Sequence, residues 1–364
     1  MKPLAGVRII EFDGLGPVTF AGMVFADLGA EVLRLTRADG APVFGDVGGA
    51  VLHRGRAAVP VDLKSPDDRA AVLDLIAGAD AVIEGFRPGV LERLGLGPDA
   101  CRPRNPRLVF GRVTGWGQSG PLADTVGHDI NYIALTGALH AMGEPDRPPR
   151  PPLNLVGDYG GGAMLLVSGV LAAIIEARQT GRGRVVDAAM TDGAALLSGL
   201  FHALSASGLW SDTRGSNLLD GGAPFYRSYA CADGGFVAVG ALEPRFYAAL
   251  IDGLGIDPAE APQFPPSGWP ALHARFEQAF ARRTRDDWEA HFKGTEACVT
   301  PVLSFYEATR HPHNSARATL TGDPPVPSPA PRFDGDVAVP APASVLDLTA
   351  AVALWRQATA ATST

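Results

Sequence analysis

Between Val7 and Thr114, short apolar runs alternate with helical patterns, and that alternation leaves few folds open. "VRIIEF" reads as a buried strand. "TFAGMVFADLGA" then places Ala21, Val24, Phe25 and Leu28 at helical spacing and closes on Gly29. "EVLRL" and "AAVPVDL" are further strands. "SPDDRAAVLDLIAG" opens a helix with Ser65 as N-cap, Pro66 at the first helical position and Asp68 completing a capping-box-like pattern. "AVIEGF" and "RLVFGRVTG" continue the series. Strands linked by helices in this way form a parallel sheet covered on both faces, so the fold class is α/β.

The texture then changes. "GGGAMLLVSGVLAAIIEA", bracketed by Asp158 and Glu176, has an uncharged run shorter than the ~20 residues a bilayer needs, and reads as a helix buried on all sides. "GRGRVVDAAMTD" gives a turn and a strand, followed by a helix to about Ser207. After the Gly/Asp-rich "SDTRGSNLLDGGAP" come two alternating runs around "ADGG", a hairpin pattern, then helices in "PRFYAALIDGLG" and "TRDDWEAHFKG" and the strand "ACVTPVLSF". The expected organisation is a large α/β domain over 1–207, a linker over 208–224 and a smaller α+β domain over 225–320. A Pro-rich segment, 321–364, runs extended and returns toward the large domain.

Composition narrows the function. A net charge of −8 leaves nothing broadly basic to neutralise phosphates, which argues against nucleic acid as a partner. Cys101, Cys231 and Cys298 form no CxxC pair, and "MKPLAGVRIIEF" is no secretory signal; both point to free thiols in the cytoplasm, with no membrane partner. "GLGPVT" is only a partial dinucleotide fingerprint, because Thr19 stands at the third glycine position. "HPHN" (His311, His313) lacks acidic or Cys partners at ligand spacing, so no metal site is expected.

Two sets of residues carry chemistry. Arg37, Arg54 and Arg56 in "HRGR", Lys64 in "VDLK" and Arg87 in "EGFRPG" recur near strand ends, where they could cradle phosphates. His128 and Asp129 follow Gly127, and Asp158 follows Gly157, each at the start of an apolar helical segment. Taken singly, each is a helix cap or a dipole-favoured carboxylate. Together, an imidazole and a carboxylate at two helix starts can face one cleft, with N-terminal amides to stabilise an oxyanion. Glu243 precedes Pro244 at another helix start.

The runs "GHDINYIALTG", "PLNLVGDYGGG", "GRGRVVDAAMTDG", "LDGGAPFYRSY", "VAVGALEPRFYAALIDGLG" and "ACVTPVLSF" closely resemble those of the α-methylacyl-CoA racemases, in the family III CoA-transferase (CaiB/BaiF) superfamily. "LGAEVLRL", "VDLKSP", "EGFRPGVLERLGLGP" and "GWGQSGP" are similar to motifs of the whole superfamily. The resemblance runs from about Leu4 to Phe333, and "TRADGAPVFGDVGGAVLHRGRAAVP" departs from it around the coenzyme A loop.

The resemblance implies a Rossmann-like large domain and an interlocked homodimer whose active site lies between the large domain of one subunit and the small domain of the other. It implies an acyl-CoA substrate, with coenzyme A as part of that substrate and no separate cofactor. By motif, His128 and Asp158 are the acid/base pair, and Glu243 of the partner subunit orients His128. Gly127, Asp129, Ile130, Asn131 and Tyr132 line the acyl and thioester site. Arg37 and Val61, Asp62, Leu63 and Lys64 contact coenzyme A, with Arg54, Arg56 and Arg87 as further contacts. The implied activity is epimerisation of the 2-methyl centre of acyl-CoA thioesters through an enolate. The alternative is a family III CoA-transferase with Asp158 as nucleophile.

Overall fold

The computed structural model describes residues 2–38 and 48–361, so positions 39–47 of the expected coenzyme A loop lie outside the described residues. The chain divides into two compact units, Met1–Ala138 with Pro152–Gly199 and Ala318–Thr364, and Leu139–Pro151 with Leu200–Arg317.

The larger unit is built on strands β1 (Arg8–Phe12), β2 (Glu31–Arg37), β3 (Ala57–Val61), β4 (Ala81–Glu84), β5 (Val109–Thr114) and β6 (Val185–Ala189). They run in the order 3-2-1-4-5-6, the doubly wound arrangement, and every pairing is parallel. Alternate residues feed two cores. On one face Ile9, Val32, Ile83 and Val109 pack with Val18 and Phe25 of the helix Pro17–Asp27 and with Leu166 and Val170 of the helix Met164–Thr180. On the other, Ile10, Leu33, Val59 and Val82 pack with Val72 and Ile76 of the helix Pro66–Ala77. Ser65 caps that helix as expected, its hydroxyl accepting from Asp68 N–H at 3.3 Å.

Three sequence expectations need correction here. The apolar helix expected after Asp158 starts earlier: a π-helix, Leu155–Ala163, already contains Asp158 and runs straight into Met164–Thr180. The resulting 26-residue helix has a mean hydropathy of 1.8 in its most apolar window, enough by length and composition to cross a membrane. It is half buried rather than buried on all sides. Its inner face packs on β5 and β6, as a core helix does, while Met164, Ser168, Ala172 and Ile175 are exposed. Nor does the C-terminal segment stay extended. Short strands β10 (Leu320–Thr321) and β11 (Val326–Pro327) pair with each other, β12 (Ser344–Val345) adds to β3, and the helix Leu348–Ala361 buries Trp355 in the second core.

The smaller unit holds an antiparallel sheet of β7 (Tyr226–Ala230), β8 (Phe236–Gly240) and β9 (Val299–Val302), the first two forming the expected hairpin. Tyr229, Val237 and Val239 face the helices Pro244–Leu254, Trp269–Phe280 and Arg285–Phe292. The stretch expected as a linker is folded into this unit: Asp220 accepts from the amides of Gly215, Asn217 and Gly222, and buried Asn217 binds Ser211 through both ends of its amide. The helix Gly199–Ala206 follows a break at Ser198 and falls largely in this unit, so the boundary lies at Gly199 rather than at 207.

Candidate active site

In a doubly wound sheet the chain leaves β1 toward β2 on one side and later returns to lay β4 on the other, which opens a crevice at the carboxyl ends of those two strands. A cleft of about 570 Å³ occupies that position. Its walls are Leu15–Pro17 after β1, Gly85–Pro88 after β4, Val113–Trp116 at the end of β5, the segment from Ala123 to His128, and the start of the π-helix. All of these belong to the larger unit.

His128 and Asp158 both line this cleft. His128 is extended, immediately before the helix Asp129–Leu135, and its backbone is held by reciprocal bonds with Asn131: His128 N–H donates to Asn131 Oδ1 at 3.0 Å, and Asn131 N–H to the His128 carbonyl at 2.7 Å. Asp158 sits in the first turn of the π-helix, whose backbone bonds run from i to i+5. Asn154 Nδ2 donates to Asp158 Oδ2 at 3.1 Å. Gly16 makes room for the carboxylate, since a Cβ there would lie 3.3 Å from Oδ2, and its φ of 66° suits glycine.

Asp129 is only 5% exposed, and its side chain is turned to the π-helix rather than lining the cleft. Its Oδ1 accepts from the amides of Gly157 (2.7 Å) and Asp158 (3.1 Å), so this carboxylate fastens the π-helix to the helix that follows His128. Gly157 is the residue that permits the approach, because a Cβ would come within 2.5 Å of Oδ1. Burial pushes the Asp158 carboxyl above its ordinary range. The Asn154 bond pulls it down, the Asp129 charge raises it again, and His128 lowers it.

Of the other expected site residues, Gly127 and Tyr132 line the cleft, and the Tyr132 hydroxyl donates to the Gly127 carbonyl. Ile130 and Asn131 are exposed and do not line it. Arg87 does line it, and among the described lining residues it is the one lysine or arginine. Arg37 ends β2 beside Val61, the last residue of β3, and Asp62, Leu63 and Lys64 follow at the same carboxyl edge of the sheet, outside the cleft itself. Glu243 lies in the smaller unit, exposed, as the extended residue before Pro244, and its side chain caps nothing.

Arg54 and Arg56 are a correction. Both precede β3 and so enter the sheet from its amino edge. Arg54 is bound to Asp27 at 2.5 Å and to the Pro327 carbonyl, and Arg56 is wholly buried against Glu11 at 2.5 Å. Neither is placed to contact a phosphate in the cleft. Conversely, Asn154, Phe86, Trp116 and Tyr159 were not singled out from the sequence, and all four line the cleft. Asn154 stands four residues before Asp158, one helical turn. That spacing was the available signal, masked by starting the helix too late.

The cleft therefore offers one imidazole, one carboxyl biased toward its protonated form, and one permanent cation, among otherwise largely apolar and backbone surface. Comparison with known proteins gives the family. The family model described as CoA-transferase family III matches residues 4–343. The chain is 45% identical over 330 residues to the α-methylacyl-CoA racemase of Mus musculus, covering 90% of this chain and 85% of that protein. It is 43% identical over the same length and shares to that of Homo sapiens. The crystal structure of Rv3272 from M. tuberculosis superposes with a TM-score of 0.78 at 27% identity, covering 95% of this chain and 97% of the other. The chain belongs to CoA-transferase family III.

Proposed function

We propose that the protein is an isomerase that epimerises the 2-methyl centre of acyl-CoA thioesters by 1,1-proton transfer. The observation that carries this reading is the placement of His128 and the Asp158 carboxyl, whose burial favours its neutral form, on two separate walls of one cleft. Inverting a carbon requires a group to take the α-proton from one face and another to supply one to the opposite face. His128 removes the proton, the thioester becomes an enolate, and neutral Asp158 protonates the other face. Imidazolium and carboxylate then remain, ready for the reverse direction or for exchange with solvent. The Asp129 N–H, first of its helix and without an intrahelical acceptor, is the donor assigned to the enolate oxygen; one such donor is worth about 3–4 kcal/mol.

Coenzyme A enters as part of the substrate, and the reaction so written calls on no further cofactor. Arg37, Lys64 and Arg87, all at the carboxyl edge, are the side chains assigned to its phosphates. The working form is a homodimer in which Glu243 of the partner subunit polarises His128. Exposed Leu155, Leu196 and Leu197 on the larger unit support a covered surface. The unpaired thiols support a cytoplasmic setting. For a CoA-transferase, Asp158 would act as a nucleophile toward the acyl group and a second, acceptor acid would be needed; the similarity to α-methylacyl-CoA racemases supports the isomerase reading instead.

Incubation with (2R)-2-methylacyl-CoA in D2O without an acceptor acid, followed by NMR at the α-carbon, tests the proposal. Deuterium should enter with both epimers appearing, and His128→Ala and Asp158→Asn should each slow the exchange by about 10²–10⁴-fold. An α-proton that stays put, together with CoA moving onto an added free acid, would establish the transferase instead.

A further inference from the structure

Arg87 reaches the cleft on the short Gly85–Pro88 loop. What holds the loop lies behind it. Glu84, the last residue of β4, turns back to accept from Phe86 N–H at 2.7 Å, and its other oxygen stands 3.3 Å from Arg112 Nε. The same guanidinium donates to Glu92 in the short helix Val90–Arg93, just past the loop. It also donates to Gln118 Oε1 at 2.9 Å, and the Gln118 amide is held by Asp187 of β6 at 2.9 Å. Gly97 clears the path for Glu92, since a Cβ there would lie 2.9 Å from its Cγ.

Arg112 itself is nearly buried, stacks over Phe110 at 5.0 Å and does not line the cleft. Two buried or half-buried carboxylates facing one buried guanidinium are costly to build unless they are matched, and here they sit at the two ends of the loop that carries the cleft's cation.

We propose that Arg112 is a positioning residue for substrate binding: by pairing with Glu84 and Glu92 on either side of the Gly85–Gly89 segment, it holds Arg87 in place for the anionic nucleotide half of a CoA thioester. The inference rests on the assignment of such a thioester as ligand. A pre-set arginine binds without the ordering cost that a loose one incurs, so the effect belongs in affinity rather than in proton transfer.

The test uses the full-length protein at pH 8, above the value of about 7 to which burial raises the Glu84 carboxyl. Two thioesters of one 2-methyl acid are compared, that of coenzyme A and that of pantetheine, which lacks the nucleotide. Arg112→Lys should raise KM for the CoA thioester about tenfold with kcat within about twofold, and leave KM for the pantetheine thioester unchanged. Glu92→Ala, at a side chain 45% exposed and so tolerant of replacement, should do the same to a smaller degree. The double variant Arg87→Ala/Glu92→Ala should bind the CoA thioester no worse than Arg87→Ala alone. The inference fails if kcat falls while KM holds, if both thioesters suffer equally, or if the two losses multiply. A wild-type protein that neither binds nor epimerises any CoA thioester would instead sink the underlying assignment, and the inference with it.

Discussion

In the proposed reaction Asp158 serves as an acid only while it keeps its proton, and its neighbours pull in opposite directions. Burial and the Asp129 charge favour the neutral form; the Asn154 amide and His128 favour the carboxylate. Removing the Asn154 donor should therefore raise the Asp158 pKa further. In Asn154→Ala, for the direction in which Asp158 gives up its proton, the alkaline limb of kcat/KM, where that proton is lost, should move to higher pH, raising activity on that limb by about 2–10-fold, the worth of one hydrogen bond. A uniform loss across pH with no movement of the limb would mean that Asn154 only supports the backbone. At this scale the sequence was partly legible. His128, Asp158 and Arg87 follow glycines or a strand end in recognisable motifs, and all three line the cleft. Arg54 and Arg56 misled because nearness to a strand does not say which edge of a parallel sheet a residue occupies. Those that precede a strand stand at the amino edge, away from a cleft at the carboxyl edge.

The π-helix is the element that turns sequence into site. Its glycines are contact surfaces. A Cβ on Gly161 would lie 2.8 Å from the Ala194 amide nitrogen, and one on Gly193 would lie 2.0 Å from the Gly161 carbonyl oxygen. The π-helix and the helix Met190–Leu197 thus meet backbone to backbone, and neither can yield without moving Asp158. Gly161→Ala should cost about 1–3 kcal/mol of stability, seen as a lower urea midpoint. It should also lose more activity than stability alone explains, whereas Ala172→Ser on the exposed side of the same long helix should change neither. Equal behaviour of the two variants would refute the close-contact account. Strand-helix alternation was readable because each strand buries both faces and each helix one, so hydrophobic period alone separates them. The π-turn and the C-terminal helix were not readable: a π-turn differs from an α-turn by one residue, and Ala-rich "LTAAVALWRQATAA" follows a Pro-rich stretch that draws attention to extended chain.

At the scale of the whole molecule, the proposed partner of His128 is Glu243. It belongs to the smaller unit, and every residue lining the cleft belongs to the larger one. If the working site takes its glutamate from a second copy, inactive chains should rescue each other. Neither His128→Ala nor Glu243→Ala homodimers would hold one complete site. A heterodimer would hold one intact site, His128 from one chain and Glu243 from the other, and one site lacking both. Co-expression at equal levels yields about half heterodimers, so about one quarter of wild-type activity should return. Native mass spectrometry of differently tagged chains would give the heterodimer fraction against which that activity is read. Heterodimers that form and stay inactive would place Glu243 and His128 of one chain in the same site, and the proposed exchange of catalytic groups between subunits would have to be abandoned.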